Sequence, residues 1–338
     1  MTSQHDFSLK NYNTFSIDAK AREFISVHSV EELKQAIAEN RGKKLFILGG
    51  GSNMLLTKDI DALVLHIDIK GKRIVHQDDD HVWIEASAGE NWHEFVLYTI
   101  SQDYGGLENM SLIPGNVGTT PIQNIGAYGA EIKDTMISCD ALDIETLEVK
   151  TFLNADCHFG YRESIFKNQV KGRYIIVSVQ FRLTRHSHVI RTAYGDIQAE
   201  LASKNIANPT IKNVSDAVTA IRQSKLPDPK ILGNSGSFFK NPVIPKSQFD
   251  ALQQKFPDVK SFPVSETEVK VPAGWLIEKA GLKGKRFGNA GVHEKQALVI
   301  VNYGGATGAE ILNVSRTVQE TVKEMFGINI EAEVNVVP

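Results

Sequence analysis

Cysteine is nearly absent. The 338-residue chain has two, Cys139 and Cys157, and neither belongs to a CxxC pair. A disulfide framework and zinc-ligand spacing are both excluded. The ten histidines form no HExxH cluster, so no metal centre is expected. No run of about 18 apolar residues exists to cross a membrane. The N-terminal MTSQHDFSLKNYNTF lacks the apolar core of a signal peptide, which leaves a reducing cytoplasm as the expected compartment. An excess of charge of one sign is missing too. The net charge is −3, so no basic surface points to nucleic acid or an anionic membrane. Internal repeats and low-complexity tracts are absent. What remains is ordinary for a soluble globular protein of two or three domains, with 42% hydrophobic and 23% charged residues.

One absence is local. Residues 109–130, NMSLIPGNVGTTPIQNIGAYGA, hold no Asp, Glu, Lys, Arg or His. Pro114, Gly115, Gly118, Pro121, Gly126 and Gly129 interrupt every regular run. A long, neutral, glycine-spaced segment can bring its backbone N–H groups close to a flat or anionic ligand. It can equally be a loop packed over a core.

The remaining chain supplies regular elements. Ser29 and Glu32 form a capping box ahead of a helix over 29–39, and Gly42 ends it. Residues 44–48 read as a short buried strand that runs into Gly49, Gly50, Gly51, Ser52 and Asn53. A glycine turn after a strand is a phosphate-site candidate. It is not a Rossmann turn, because Met54 stands at the sixth position and no long helix follows. It is not a P-loop either, since no Gly-Lys-Ser/Thr ends it. Residues 82–88 alternate as a strand, and 90–102 form a helix with Trp92, Phe95, Val96, Thr99 and Ile100 inward. A strand is expected over 137–145. Along 174–183, Ile175, Val177, Val179, Phe181 and Leu183 should share one face and Ser178, Gln180 and Arg182 the other. Later elements are helices over 215–224, 274–280 and 307–326. The last has a second capping box, Thr307 with Glu310, and a stripe of Ile311, Val314, Val318, Val322 and Met325. A final strand is expected over 328–336, with Glu331, Glu333 and Asn335 opposite its apolar face.

Four polar residues are candidates for chemistry. Ser237 lies in a Gly-Asn-Ser-Gly-Ser turn, but Phe239 rules out the G-x-S-x-G nucleophile elbow. It could donate a proton, although serines in such turns ordinarily bond the local backbone. A Glu333 turned into a cleft would be desolvated and act as an acid, whereas terminal-strand glutamates usually face solvent. Arg162 could hold an anion with two N–H groups, or pair with Glu163. Lys225 could hold a phosphate or lie on the surface.

Taken together these residues resemble the UDP-N-acetylenolpyruvoylglucosamine reductase (MurB) family. The matching stretches are 13–15 (NTF), 49–53 (GGGSN), 113–118 (IPGNVG), 121–129 (PIQNIGAYG), 160–164 (GYRES), 222–228 (RQSKLPD), 233–242 (GNSGSFFKNP) and 273–281 (AGWLIEKAG). Tyr194, Gly195 and Asp196 resemble the branch that carries a tyrosine loop. The resemblance implies an α+β chain. An FAD-binding domain of the vanillyl-alcohol-oxidase (PCMH) type would occupy 16–184, and a tyrosine-loop segment and linker 185–224. A C-terminal α+β substrate-binding domain would occupy 225–338, its last strand free to return to the first domain. It implies non-covalent FAD, with the pyrophosphate at Gly49–Asn53. Gly118, Gln123, Asn124, Gly126, Ala127, Tyr128 and Gly129 would surround the flavin. NADPH would reduce the flavin and leave. UDP-N-acetylglucosamine enolpyruvate would then receive a hydride at C3 and a proton at C2, giving UDP-N-acetylmuramate for the cell wall. Ser237 matches the family's proton donor, and Arg162 and Glu333 match the residues that act on the substrate carboxylate. Tyr194, Lys225, Asn241 and Gln296 match positions contacting the UDP phosphates or sugar. Ala332 stands where members often have proline, and Asn335 where some have arginine. The flavin's potential is expected to be set by N–H dipoles of the neutral stretch rather than by nearby ions.

Overall fold

A computed structural model describes residues 2–338. The chain divides into two compact units. One holds the residues up to Phe7, Ala21–Gly50 and Ile60–Ser224, and the other holds Ser8–Lys20, Gly51–Asp59 and Lys225–Pro338. The stretch 185–224 therefore lies with the first unit, and two short early segments lie with the second.

The first unit has two main sheets. In one, strand Ile60–Ile67 pairs in parallel with Lys20–Val27 and with Leu45–Leu48. Helix α1 (Val30–Glu39) packs Leu33, Ala36 and Ile37 into this sheet's core. Ser29 accepts from the Glu32 N–H at 3.0 Å, and the Glu32 carboxylate accepts from the His28 N–H. Strand Leu45–Leu48 buries only Leu48 fully, and Ile47 is exposed, so it is not the buried strand its composition suggests. The other sheet is antiparallel, in the order Val149–Leu153, Met136–Asp143, Tyr174–Thr184, His81–Ser87, Lys72–Gln77. Helix α2 (Trp92–Ser101) buries Trp92, Phe95, Val96 and Thr99 in its core.

The long strand Tyr174–Thr184 departs from simple alternation. Its register against Met136–Asp143 slips between Asp140 and Ala141, leaving Val177 and Ser178 opposite Asp140. This β-bulge exchanges the two faces. Ile176, Val179, Phe181 and Leu183 enter the core with α2, while Ile175 and Val177 enter the core with α1. The expected single apolar face is thus two half-faces, and one strand serves both cores. Helices α3 (Ile197–Ser203) and α4 (Ile211–Lys225) pack together through Ile197, Leu201, Val214, Val218 and Ile221. Helix α4 starts four residues before its expected beginning.

In the second unit, strands Gly233–Ser237, Val299–Asn302, Ala290–Val292 and Arg286–Phe287 form an antiparallel sheet. A smaller sheet of Val243–Pro245, Glu268–Lys270 and Phe262–Pro263 lies with α5 (Lys246–Lys255), and α6 (Ala273–Lys279) follows. Helix α7 (Gly308–Phe326) buries Ile311, Val314, Val318 and Val322, while Met325 in its last turn is exposed. Its first turn approaches strand Met54–Leu56 so closely that a Cβ on Gly308 would sit on the Leu56 carbonyl oxygen. The expected strand over 328–336 is mostly irregular. Only Asn335–Val337 forms a strand, parallel to Met54–Leu56, and Val336 is exposed. The reason is local: the preceding residues pair with Phe238 and Lys240 instead.

Thr307 and Glu310 make the expected capping box, with the Glu310 N–H donating to Thr307 Oγ1 at 3.2 Å and the Thr307 N–H donating to Glu310 at 2.7 Å. Thr307→Ala should cost about 1 kcal/mol, seen as a lowered thermal midpoint, whereas Thr307→Ser should retain most of it.

Candidate functional site

In the first unit the neutral stretch is fastened along one side to the segment leading into α2. Gly118 N–H donates to Ala88 C=O at 3.0 Å, Val117 N–H to Glu90 C=O at 2.9 Å, and Trp92 N–H to Gly115 C=O at 3.0 Å. Trp92 Nε1 donates to Met110 C=O at 2.9 Å, and Leu112 N–H donates to His93 Nδ1 at 2.9 Å. Gly118 is glycine because a Cβ there would sit on the Ala88 side chain. A Cβ on Gly49 would lie 2.7 Å from Thr119 Cγ2, and one on Gly50 2.9 Å from Asn116 Oδ1. The first half of the GGGSN run therefore lies backbone-first against the stretch.

Further along, Asn124 is buried and spends its amide on the protein. Nδ2 donates to Glu131 and to Gly160 C=O, both at 3.0 Å, and Oδ1 accepts from Lys133 N–H. Asn124 and Tyr128 adopt positive φ, and so does Arg162. Arg162 Nη2 donates to Gly126 C=O at 2.8 Å and Nη1 to Asn124 C=O at 3.4 Å. It thus takes two carbonyls of the stretch, while Glu163 accepts from Asn168 and faces Lys167. Gly129 is within contact distance of Tyr194, 3.4 Å from an added Cβ, and Gly195 is similarly close to Tyr128. Tyr194 itself is 56% exposed.

Two residues without a role in the sequence reading stand beside these. Arg222, on α4, has its Nε enclosed with no partner. Burial pushes its guanidinium below the ordinary arginine range; Tyr128 offsets this and Arg162 adds to it. His93 is held below the usual histidine range, first by burial and then by Arg222, with Glu94 opposing. Among the described residues, no acidic side chain acts on Arg222. The stretch is neutral in itself, yet Arg162 donates to two of its carbonyls and Arg222 interacts with its Tyr128. An arginine within an ordinary helical stripe carries no sequence signal for such burial.

In the second unit, Ser237 ends strand Gly233–Ser237 at a bulge. Asn234 pairs with Val301 and Ser237 with Val299, which leaves one extra residue on the serine strand. Gly236, at φ 69°, takes up the left-handed turn. The Asn234 side chain holds the bulge, accepting from Gly236 N–H and donating to Pro227 and Leu232 carbonyls. The result is an exposed Ser237 between the buried Ser235 and Phe238. On the far side, Glu333 N–H donates to Phe238 C=O at 2.8 Å and Lys240 N–H donates to Glu331 C=O. With Ala332 bridging Phe239, this sets the register: Glu331 lies exposed toward Lys240, and Glu333 is half-buried. Asn53 joins the same group, its C=O accepting from Asn335 and its Nδ2 donating to Glu333 C=O. Gly51, at φ 61°, admits no side chain, because a Cβ would overlap the Tyr12 carbonyl. Asn241 Oδ1 accepts from the Ala273 N–H at the start of α6, and Gln296 N–H donates to His293 Nδ1 at 3.3 Å. A cavity of about 580 Å³ in this unit is lined by Lys10, Ile17, Thr57, Pro229 and Tyr303, and none of the site residues borders it.

The arrangement divides the candidates. Gly49, Gly50, Gly118, Asn124, Gly126, Tyr128, Arg162 and Tyr194 come together in the first unit. Gly51, Asn53, Ser237 and Glu333 come together in the second.

A glycine-lined backbone cradle, a neutral loop and a buried guanidinium lacking a counter-ion suit a large, electron-rich, anionic cofactor. Residues 21–149 match the family described as FAD binding domain. The first unit thus has the FAD-binding fold expected for it, and the protein is a flavoprotein. Residues 228–337 match the family described as UDP-N-acetylenolpyruvoylglucosamine reductase, C-terminal domain. A UDP-N-acetylenolpyruvoylglucosamine reductase of Flavobacterium johnsoniae is 71% identical over 100% of both chains, and one of Pseudomonas putida is 48% identical over 98% of both. The crystal structure of the Thermus caldophilus reductase (MurB) superposes with a TM-score of 0.69, at 23% identity over 100% of both chains. This chain belongs to the UDP-N-acetylenolpyruvoylglucosamine reductase family.

Arg222→Met removes a buried charge that has no counter-ion. It should stabilise the ligand-free protein by about 1–3 kcal/mol, read as a raised thermal midpoint; a lowered midpoint would reveal a partner for the guanidinium.

Proposed function

We propose that this chain reduces UDP-N-acetylglucosamine enolpyruvate to UDP-N-acetylmuramate, the reduction step of peptidoglycan precursor synthesis. Non-covalent FAD is its cofactor, NADPH its hydride donor and the cytoplasm its compartment. No nucleic-acid, membrane or metal partner is invoked. The observation that carries this reading beyond family membership is Ser237. A bulge supported by Asn234 turns its hydroxyl outward, one residue from the carbonyl that accepts the Glu333 N–H.

FAD, when bound, supplies the hydride that adds to C3 of the enolpyruvyl group. The chain's residues do the rest. Addition at C3 leaves negative charge on C2 and the carboxylate, and this enolate is basic enough to take a hydroxyl proton. Ser237 Oγ–H donates that proton to C2. Arg162 and Glu333 stabilise the charge on the carboxylate side: the guanidinium as a cation, the glutamic acid as a hydrogen-bond donor. Two backbone carbonyls hold the Arg162 fork, so little reorganisation is needed when the charge develops. Gly49, Gly50, Gly51, Ser52 and Asn53 hold the cofactor's pyrophosphate by backbone N–H groups. Gly118, Gln123, Asn124, Gly126, Ala127, Tyr128 and Gly129 form the flavin's seat. Asn124 contributes through its backbone, because its side chain is committed to Glu131, Gly160 and Lys133. Tyr194, Lys225, Asn241 and Gln296 bind the UDP group. The bond from Asn241 Oδ1 to Ala273 N–H orients its amide with Nδ2 as the donor.

Anaerobic NADPH should bleach the flavin absorbance of the purified protein, and the enolpyruvyl nucleotide sugar should restore it. Recovery with oxygen but not with the sugar would identify a flavin oxidase and sink the reading. Ser237→Ala should be bleached at the normal rate but restored about 10²–10⁴-fold more slowly; normal restoration would remove Ser237 as the donor.

A further inference from the structure

The seam between residues 88–93 and 110–118 consists of backbone bonds and one indole N–H, with a single exception. At Leu112 the acceptor is a side chain, His93 Nδ1, at 2.9 Å. Leu112 also carries a positive φ of 59°, a conformation leucine adopts only when its surroundings hold it. The next residues are Ile113 and Pro114, where the stretch turns toward its glycines. Among the described residues, His93 is therefore the one titratable group in the bonds of this seam, and it acts at a residue held in a left-handed conformation.

For Nδ1 to accept, the ring must be neutral with its proton on Nε2. Protonation places N–H against N–H and removes the bond. The charged groups acting on the ring are few. Arg222 of α4 opposes a second positive charge, and Glu94 on the same helix as His93 favours it weakly. We propose that His93 is a proton-sensitive clasp of the cofactor loop: neutral, it holds Leu112 and keeps the loop closed on FAD, and protonated, it lets the loop open and FAD leave. This rests on the reading of 109–130 as the flavin's seat. The sign follows from a folded-state histidine held below the usual range. The clasp is intact above about pH 6.5 and is lost as the pH falls through the lowered folded value. His93 is a positioning residue, without contact to reacting atoms.

The test measures FAD affinity and amide hydrogen exchange over 110–118 at pH 7.5 and 5.0 in three full-length proteins. Wild-type affinity should fall at least tenfold on acidification, together with faster exchange in the loop. His93→Asn puts a non-titrating acceptor near the position of Nδ1 and should flatten both responses. His93→Leu, without an acceptor, should bind FAD weakly at both pH values. Burial also holds His66 and His293 low, but both titrate alike in all three proteins and cancel in the comparison. Equal acid sensitivity in wild type and His93→Asn would overturn the clasp, as would wild-type affinity in His93→Leu. Faster loop exchange with unchanged FAD affinity would instead show that the loop opens but does not seat the flavin.

Discussion

The first unit depends on how closely one backbone approaches another. Residues 110–118 lie against 88–93 at hydrogen-bonding distance, and Gly118 faces Ala88 where any side chain would collide. Gly49 and Gly50 meet Thr119 and Asn116 under the same restriction. These contacts leave no room for side chains, so the loop's shape is set by main-chain bonds and by the few residues forced into left-handed conformations. A loop built that way is uniform in charge and stiff without being regular, which is what a planar cofactor needs from its surroundings.

Much of this was legible from residue types. The neutral run announced itself by composition, and the capping residues Ser29 and Thr307 marked their helices to within a residue. Ser237 and its glycine were visible as a turn. That the turn is a bulge was not, because a bulge is a relation between two strands, and its partner Val299 lies far along the chain. The face exchange at Val177 was hidden for the same reason: alternation along one strand carries no record of a slip against the next. Arg222 opens the matching stretch at 222–228, but its burial has no sequence signal, and only the packing of α4 reveals the enclosed Nε. The site as a set came from the resemblance of ordered motifs, since no single residue outweighed its ordinary structural explanation.

The charges follow a consistent plan. The stretch itself carries none, and the neighbouring cations are attached to rigid supports: Arg162 to carbonyls of the loop, Arg222 to a helix. Arg222, a fixed cation with no paired acid among the described residues, favours whichever state of a bound group carries more negative charge. Had Arg222 been given an aspartate, that preference would have been cancelled within the protein itself. The cost is a fold less stable than it could be, as is common where binding residues are held ready.

Strand Met54–Leu56 has a partner in Asn335–Val337, with Thr57 bonded to Val337 some 280 residues further along. On the ribosome, the second unit must therefore wait with its early segments unpaired while nearly the whole chain is made. The first unit, whose sheet strands all precede residue 185, can assemble earlier around these looped-out pieces. Synthesis order thus lets the half that matches the FAD binding domain complete its sheets long before the second unit receives its last strand.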